Sequence, residues 1–472
     1  MQKSIFIHVI CLFVTGIVIA QSTSTFIPNR VIDSIYEAEK NPLNIINPQA
    51  LDHFFNDLFL LEKDKVGKVR IVQVGDSHIQ ADFLTNSSKN IFQKRFGNGG
   101  LGFVFPHKLA KTNGPSTISY KTNAMFLSNR NVRPLTTDPI GIAGYSLSTT
   151  NKNSAIEVTI KNQQDYVNSI KIITPNNNQF YNLGFSHTNL IPFQNYASKW
   201  VTHKVKSGET LFSIAKKYNV TVDFIKKLNQ LKSNSIAVGQ LLKIGNNPDV
   251  ETKINETNFE LIDLQNEGTS YAYNSKVLLN KFYLVPNNIK NEFFINGLVL
   301  ENDLPGVTYS GIGVNGAKLS DYIKYELFFE QMQALSPSLL VISFGTNESF
   351  DKLDVTNFIS NLEIFVSKIK KYNQHISILV TTPPPSTLYK KYTNTYVNDY
   401  SKALVNYAQV NKSIAVFNMF DILGGVNGVK INKEKGYLAK DEVHYTKNGY
   451  EYQGSVLAES ILKAYQNYIS NK

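Results

Sequence analysis

Lys68-Val-Arg-Ile-Val-Gln-Val-Gly-Asp-Ser-His78 is the stretch on which the reading of this chain turns. Val69, Ile71, Val72 and Val74 are β-branched residues suited to a buried strand. The apolar run stops at Gly75-Asp76-Ser77-His78. A serine at the carboxyl end of a central strand faces the crevice in which open α/β sheets place their chemistry. Taken alone, the tetrapeptide reads equally as a plain turn after a strand. The distinction depends on whether the chain supplies Ser77 with a base, an orienting acid and donors for an oxyanion.

Upstream, Leu51, Phe54, Phe55, Leu58 and Leu61 recur at helical spacing and predict a helix over residues 48–63. Downstream, a helix is expected over 79–96, then a glycine-rich turn over 97–102 that lacks the Lys-Ser/Thr of a phosphate-binding loop. From about Lys111 to Asp303 the pattern changes to short β runs between Asn-, Gly- and Ser-rich turns, as in a β-sandwich or jelly roll. After Leu304 strands and helices alternate again. Ser320 is placed to cap a helix carrying Tyr322, Ile323, Leu327, Phe328 and Met332. Strands follow over 339–344, 376–381 and 414–417, with a long amphipathic helix over 355–369 and a last helix from Gly449 to about Ile469. Such alternation means a parallel sheet with helices on both faces. One α/β unit, residues 47–112 and 305–472, is thus interrupted by a β-rich insert over 113–304, shaped for carbohydrate binding or for moulding the substrate path.

The chain has 472 residues, enough for two or three domains, with 12% aromatics and 42% hydrophobics. Its formal charge is +11, and the segment from His203 to Ile244 holds eight Lys against Glu209 and Asp223. Arg is scarce and no nucleic-acid-binding motif is present, so an acidic polymer or simple solubility accounts for the surplus better than nucleic acid does. Residues 1–20 read as a signal peptide: Lys3, an apolar run, and small residues before Gln21, with an uncleaved anchor as the rival reading. Residues 21–46 form an irregular polar lead-in. The expected location is secreted, in the periplasm or at the cell surface, with no membrane span once the leader is removed. Cys11, the one cysteine, lies in the leader, which excludes thiol catalysis, disulfides and Cys-ligated zinc from the mature chain.

Serine needs a base. Among the histidines beyond the leader, His444 has an acid three residues before it, in Asp441-Glu-Val-His444. Three residues of separation in a tight turn lets Asp441 orient the ring so that Nε2 is free to act. His78 is the competing base, but neighbouring side chains on an extended strand end point apart, which makes His78 a pocket or packing residue. Oxyanion donors are offered by Gly313-Val-Asn-Gly316 and by Gly345-Thr-Asn347, where the alternatives are a turn glycine and a helix-capping asparagine.

Gly75-Asp-Ser-His78, the block around Gly316, Gly345-Thr-Asn347 and Asp441-x-x-His444 follow in the order of the SGNH (GDSL-like) hydrolases, which the chain resembles over its two α/β pieces. The resemblance implies a flavodoxin-like parallel sheet with Ser77 as nucleophile, His444 as base and Asp441 as orienting acid. It also implies an oxyanion hole from the Ser77 and Gly316 amides and the Asn347 side chain, and neither metal nor cofactor. His78 stands where the family's usual Leu would be, and the gap from Ser77 to Gly316 is unusually long. The α/β-hydrolase elbow G-x-S-x-G is absent.

Within the insert, residues 203–244 resemble a LysM domain, a small β-α-α-β module. The matching features are Val-Lys-Ser-Gly-Glu-Thr-Leu211, the Ser213-Ile-Ala-x-x-Tyr218 helix, Leu228-Asn229 and Val238-Gly-Gln-x-Leu-x-Ile244. That resemblance implies binding of peptidoglycan or another N-acetylglucosamine-containing polysaccharide through Gly208, Glu209, Thr210, Leu211, Asn234 and Ile236. Leu211, Ile214, Ala215 and Leu228 are read as module core. The two resemblances together imply a secreted serine esterase that removes O-acetyl groups from cell-wall glycan, with O-acetyl transfer or a catalytically silent wall-binding role as alternatives.

Overall fold

The computed structural model describes residues 45–134, 136–186, 200–218, 220–246, 258–287 and 292–472; the leader and most of the lead-in lie outside them. The Lys68–Gly75 strand forms as the β-branched run predicts and lies within a six-stranded sheet. The order across the sheet is Ile45–Ile46, Ala415–Phe417, Ser377–Thr381, Leu339–Ser343, Lys68–Gly75 and Gly306–Gly313. Five of these strands run parallel. The short Ile45–Ile46 edge strand is antiparallel, so the sheet is mixed rather than purely parallel.

The two faces of the central strand separate by period-two alternation. Val69 and Ile71 join an apolar cluster with Phe54, Phe55, Phe92, Leu457 and Ile461, from the helices Asp52–Asp64, Phe83–Phe96 and Lys447–Ser470. Val72 and Val74 face the opposite cluster, where Tyr322, Phe328, Phe365 and Tyr400 pack from the remaining helices. Helices therefore cover both faces of the sheet. Among the described residues, no helix is long and apolar enough to cross a membrane.

Several boundaries differ from expectation. The predicted 48–63 helix opens with a 3-10 turn, Pro48–Leu51, before Asp52–Asp64. The 79–96 helix is two helices, Ser77–Gln80 and Phe83–Phe96, broken where Asp82 takes φ 62°. Ser320 does not cap: the helix begins at Leu319, and the Asp321 carboxylate instead accepts the Lys318 amide at 3.1 Å. The glycine-rich turn over 97–102 is only half a turn. Gly100–Val104 is a strand paired with Gly297–Glu301, so the chain enters the insert's sheet well before residue 113. Glycine is needed there for close approach, since a Cβ on Gly102 would lie 2.5 Å from Ser310 Oγ at φ +74°.

The insert consists of antiparallel sheets. One five-stranded sheet contains Ile118–Thr122, Ile156–Ile160 and Lys281–Pro286, and a second contains Val167–Ile173, Gly297–Glu301 and Gly100–Val104. Ile156, Val158, Phe282, Ile170, Ile172 and Leu298 from the two sheets share one apolar cluster. A three-stranded sheet orders Phe293–Ile295, Tyr145–Thr149 and Leu127–Arg130. The inserted module is a two-stranded sheet, Trp200–Lys204 with Leu241–Asn246, and the helices Leu211–Tyr218 and Val222–Asn229. Val205, Leu211, Ile214, Ala215, Ile225, Leu242 and Ile244 form its core, whereas Leu228 is only half-buried and stands outside that cluster.

Candidate active site

Ser77 sits two residues past the end of its strand, at the start of the short Ser77–Gln80 helix. The turn is tight because glycines line it. A Cβ on Gly75 would meet Ser343 O at 2.6 Å, and one on Gly313 would meet Gln80 N at 2.3 Å. Ser77 Oγ lies 2.8 Å from His444 Nε2. His444 Nδ1 lies 2.7 Å from Asp441 Oδ2, while Asp441 Oδ1 accepts the amides of Val443 at 3.0 Å and His444 at 2.9 Å. A carboxylate can only accept, so the ring proton belongs on Nδ1 and the Nε2 lone pair faces the serine hydroxyl. Burial pulls the Asp441 carboxyl upward, but the His444 ring and the two amides outweigh it and hold it at about 2.

Ser77, Asn113, Asn315, Gly316, Asn347 and His444 line one cleft of about 530 Å³, within the size range of small-ligand sites. Gly316 has φ +80°, a backbone that disfavours any side chain. Asn347 lies in the Thr346–Phe350 helix just after its strand, and its Nδ2 donates to Ala317 O at 3.0 Å and to Asp76 Oδ2 at 3.3 Å. The structure thus brings Ser77, Gly316 and Asn347, from three strand ends, together with Asp441 and His444, from the loop before the Lys447–Ser470 helix.

His78 turns away from the serine. It is buried, its Nδ1 pairs with Tyr450 OH at 3.0 Å, and its ring lies 5.3 Å from that of His444. Burial, with the neighbouring His444, pushes His78 down to about 3, so it stays neutral. It packs against the His444 ring.

Three supporting residues went unassigned from sequence. Asp76 accepts the His78 amide at 2.9 Å as well as the Asn347 side chain, and burial pushes its carboxyl up to about 7. Glu348 accepts the Leu319 amide at 2.8 Å and the Gly345 amide at 3.1 Å, tying the segments that carry Gly316 and Asn347 to each other, and burial likewise pushes it up to about 7. Gln80 Oε1 accepts the Asn315 amide at 2.7 Å while its Nε2 donates to Asn113 O at 3.2 Å, so one side chain holds two lips of the cleft. Their adjacency to the motifs was the only available signal.

In the inserted module, Gly208, Thr210 and Asn234 are exposed and Ile236 is half-buried. Glu209 is committed within the module, accepting the Lys206 amide at 2.7 Å and lying 2.6 Å from His203 Nε2. Leu211, expected at the glycan surface, is 2% exposed and belongs to the module core, so its side chain cannot reach a ligand.

Two parts of the chain match known families. Residues 203–245 match the LysM domain, and residues 293–452 match the GDSL-like Lipase/Acylhydrolase family. The second match begins after the Ser77 block, which the fold returns to it. The LysM stretch is 56% identical over 43 residues to the probable peptidoglycan endopeptidase LytE of Bacillus subtilis, covering 9% of this chain and 13% of that protein. A 107-residue stretch is 32% identical to the probable N-acetylmuramoyl-L-alanine amidase AmiB of Haemophilus influenzae, covering 20% of this chain and 25% of that one. The chain therefore spans a quarter or less of the length of these relatives. A solved structure of a peptidoglycan O-acetylesterase superposes with a TM-score of 0.61 at 17% identity, covering 88% of this chain and 96% of that one. At that identity the likeness is one of fold. The chain carries a LysM domain and a GDSL-like hydrolase domain.

Proposed function

We propose that this protein is an exported serine esterase that removes O-acetyl groups from a cell-wall glycan, with peptidoglycan as the substrate and the LysM module as its wall-binding part. The observation that carries the reading is the continuous Ser77–His444–Asp441 hydrogen-bond chain, at 2.8 and 2.7 Å, opening on the cleft that Gly316 and Asn347 line. The parallel strands run in the order second, first, third, fourth, fifth, which supports the flavodoxin-like reading of the sheet.

Ser77 Oγ attacks the acetyl carbonyl as its proton passes to His444 Nε2. The carbonyl oxygen becomes an oxyanion facing the Ser77 and Gly316 amides and Asn347 Nδ2. Of the two bonds Asn347 Nδ2 makes, the one to Asp76, at 3.3 Å, is the longer and is the one an oxyanion displaces. Collapse expels the sugar alkoxide, which takes the proton from His444 and leaves acetyl on Ser77. Water then repeats the sequence, releasing acetate and restoring the hydroxyl. Asp441 holds the tautomer throughout.

LysM domains in wall-acting relatives support the glycan partner, and the apolar leader over 1–20 supports export. Ser77→Ala tests the reading: hydrolysis of a small acetyl ester is abolished while sedimentation with peptidoglycan is retained. Undiminished hydrolysis refutes the nucleophile, and no acetate from O-acetylated peptidoglycan with the native chain refutes the substrate.

A further inference from the structure

A glycan-binding module joined to a hydrolase commonly acts as a tether, raising local concentration without fixing direction. The contacts here are of another kind. Lys227, on the Val222–Asn229 helix of the LysM module, is a lysine with a side chain only 3% exposed. Its Nζ lies 2.8 Å from Asp138 and 3.2 Å from Glu292, donates to Ser148 Oγ at 3.1 Å, and sits 5.3 Å from the Phe294 ring centre. All four partners lie outside the module. A buried ammonium is retained only when it is paired in this way.

Phe224 adds an independent observation. It is 4% exposed, yet it does not belong to the module's own apolar cluster. It lies three residues before Lys227, one turn away on the same helix face, and this helix contacts the Leu127–Arg130 strand of the insert. The module's glycan-facing residues Gly208, Thr210 and Asn234 remain exposed. The buried face is the docking face, and the loops are left open.

The surface that receives Lys227 reaches the catalytic centre. Ser148 pairs with Leu127 at one end of the three-stranded sheet, and Tyr145 pairs with Arg130 at the other. Arg130 Nη1 donates to Asn315 O at 3.3 Å, and Val132 is the neighbour that a Cβ on Gly316 would meet, at 4.0 Å. Three residues of strand, roughly 10 Å, separate the lysine's anchor from Arg130, whose side chain reaches the Asn315–Gly316 loop.

We propose that Lys227 is a positioning residue: it locks the LysM module onto this sheet, so that a glycan strand held by the module's open loops is presented to Ser77 in one fixed orientation. The inference rests on the glycan-esterase reading above, but its structural half is tested without it.

Spin labels at Lys216→Cys in the module and Lys402→Cys in the α/β unit, both exposed positions, should give one narrow distance distribution in the full chain. That distribution should broaden when Lys227→Ala is added. A broad distribution with Lys227 present overturns the docking, whatever the enzyme acts on. Functionally, Lys227→Ala should leave kcat/KM on a small acetyl ester and sedimentation with peptidoglycan within about twofold of the parent. Acetate release from polymeric O-acetylated peptidoglycan should fall at least fivefold. The charge swap Lys227→Glu with Glu292→Lys keeps one cation between two carboxylates and should restore release. Unchanged release in Lys227→Ala refutes the positioning role, as does a parallel loss on the small ester, which would mark Lys227 as merely structural.

Discussion

Asp441 offers the sharpest test of the catalytic geometry, because two replacements should fail to different extents. Its Oδ1 is fixed by the amides of Val443 and His444, at 3.0 and 2.9 Å, leaving Oδ2 for the His444 ring at 2.7 Å. In Asp441→Asn the amide oxygen must take the Oδ1 place, because only an oxygen can accept both backbone N–H groups. The NH₂ then points at Nδ1, makes that nitrogen an acceptor and drives the ring proton to Nε2, where it blocks transfer from Ser77. A locked wrong tautomer costs a serine hydrolase about 10⁴-fold in kcat, or roughly 5.5 kcal/mol. Asp441→Ala removes the orienting acid but imposes no tautomer. The Asp441 side chain is 47% exposed, so water takes part of its place, and the expected loss is smaller than in the Asn variant. Steady-state hydrolysis of a small acetyl ester at neutral pH, with folding checked by circular dichroism, ranks the two. An Asn variant as active as the Ala variant would refute the tautomer argument, and activity in both within threefold of the parent would remove Asp441 from the mechanism.

Asn347→Ala should lower kcat on the same ester by about 10²–10³-fold with little change in KM, since its donor acts on charge that develops in the transition state; an effect confined to KM would count against an oxyanion role. Glu348 supplies a pH signature. Its folded carboxyl is raised to about 7 from 4.5, so between those values the folded chain holds a proton that the unfolded chain has released. Its contribution is therefore full below about pH 4.5 and lost as pH rises to about 7. Glu348→Gln cannot ionise, so in urea melts the parent should lose stability relative to this variant across that window and run parallel above it. A difference that does not vary with pH would place the ionisation elsewhere.

The parts of this site legible in the sequence are those in which local chemistry dictates local structure. A β-branched run ending in Gly-Asp-Ser can be read because strand and turn obey short-range rules, and Asp441 lies within one turn of His444. Asp76 and Glu348 were not legible because their work is done across the fold. Asp76 reaches Asn347, 271 positions away, and Glu348 reaches back to the Leu319 amide. A carboxylate that bridges backbone amides of another segment has no sequence period. Leu211 carried two expectations, module core and glycan contact, and its burial bears out the first: an apolar side chain in a small module is needed first for its core. Lys227 was one of eight similar lysines until burial distinguished it.

The long separation between Ser77 and Gly316 follows from where the insert is attached. Gly306–Gly313 is the edge strand of the α/β sheet and the immediate neighbour of the strand that carries Ser77. An open edge invites unwanted pairing, and here the insert covers it. Gly99 N donates to Val307 O, Val307 N donates to Gly97 O, and Ser310 Oγ accepts the Phe103 amide at 2.9 Å. The chain leaving the Ser77 helices thus first zips along the edge strand, then builds the β sheets, and returns to form that same strand. Whatever shifts the insert also shifts Gly313 to Gly316, because they continue directly from the strand to which it is bonded. An insertion at this point is no passive appendage: it is bonded to the strand that runs into the Gly313–Gly316 loop, and the side-chain contacts of Arg130 and Lys227 link that loop, through the insert, to the LysM module.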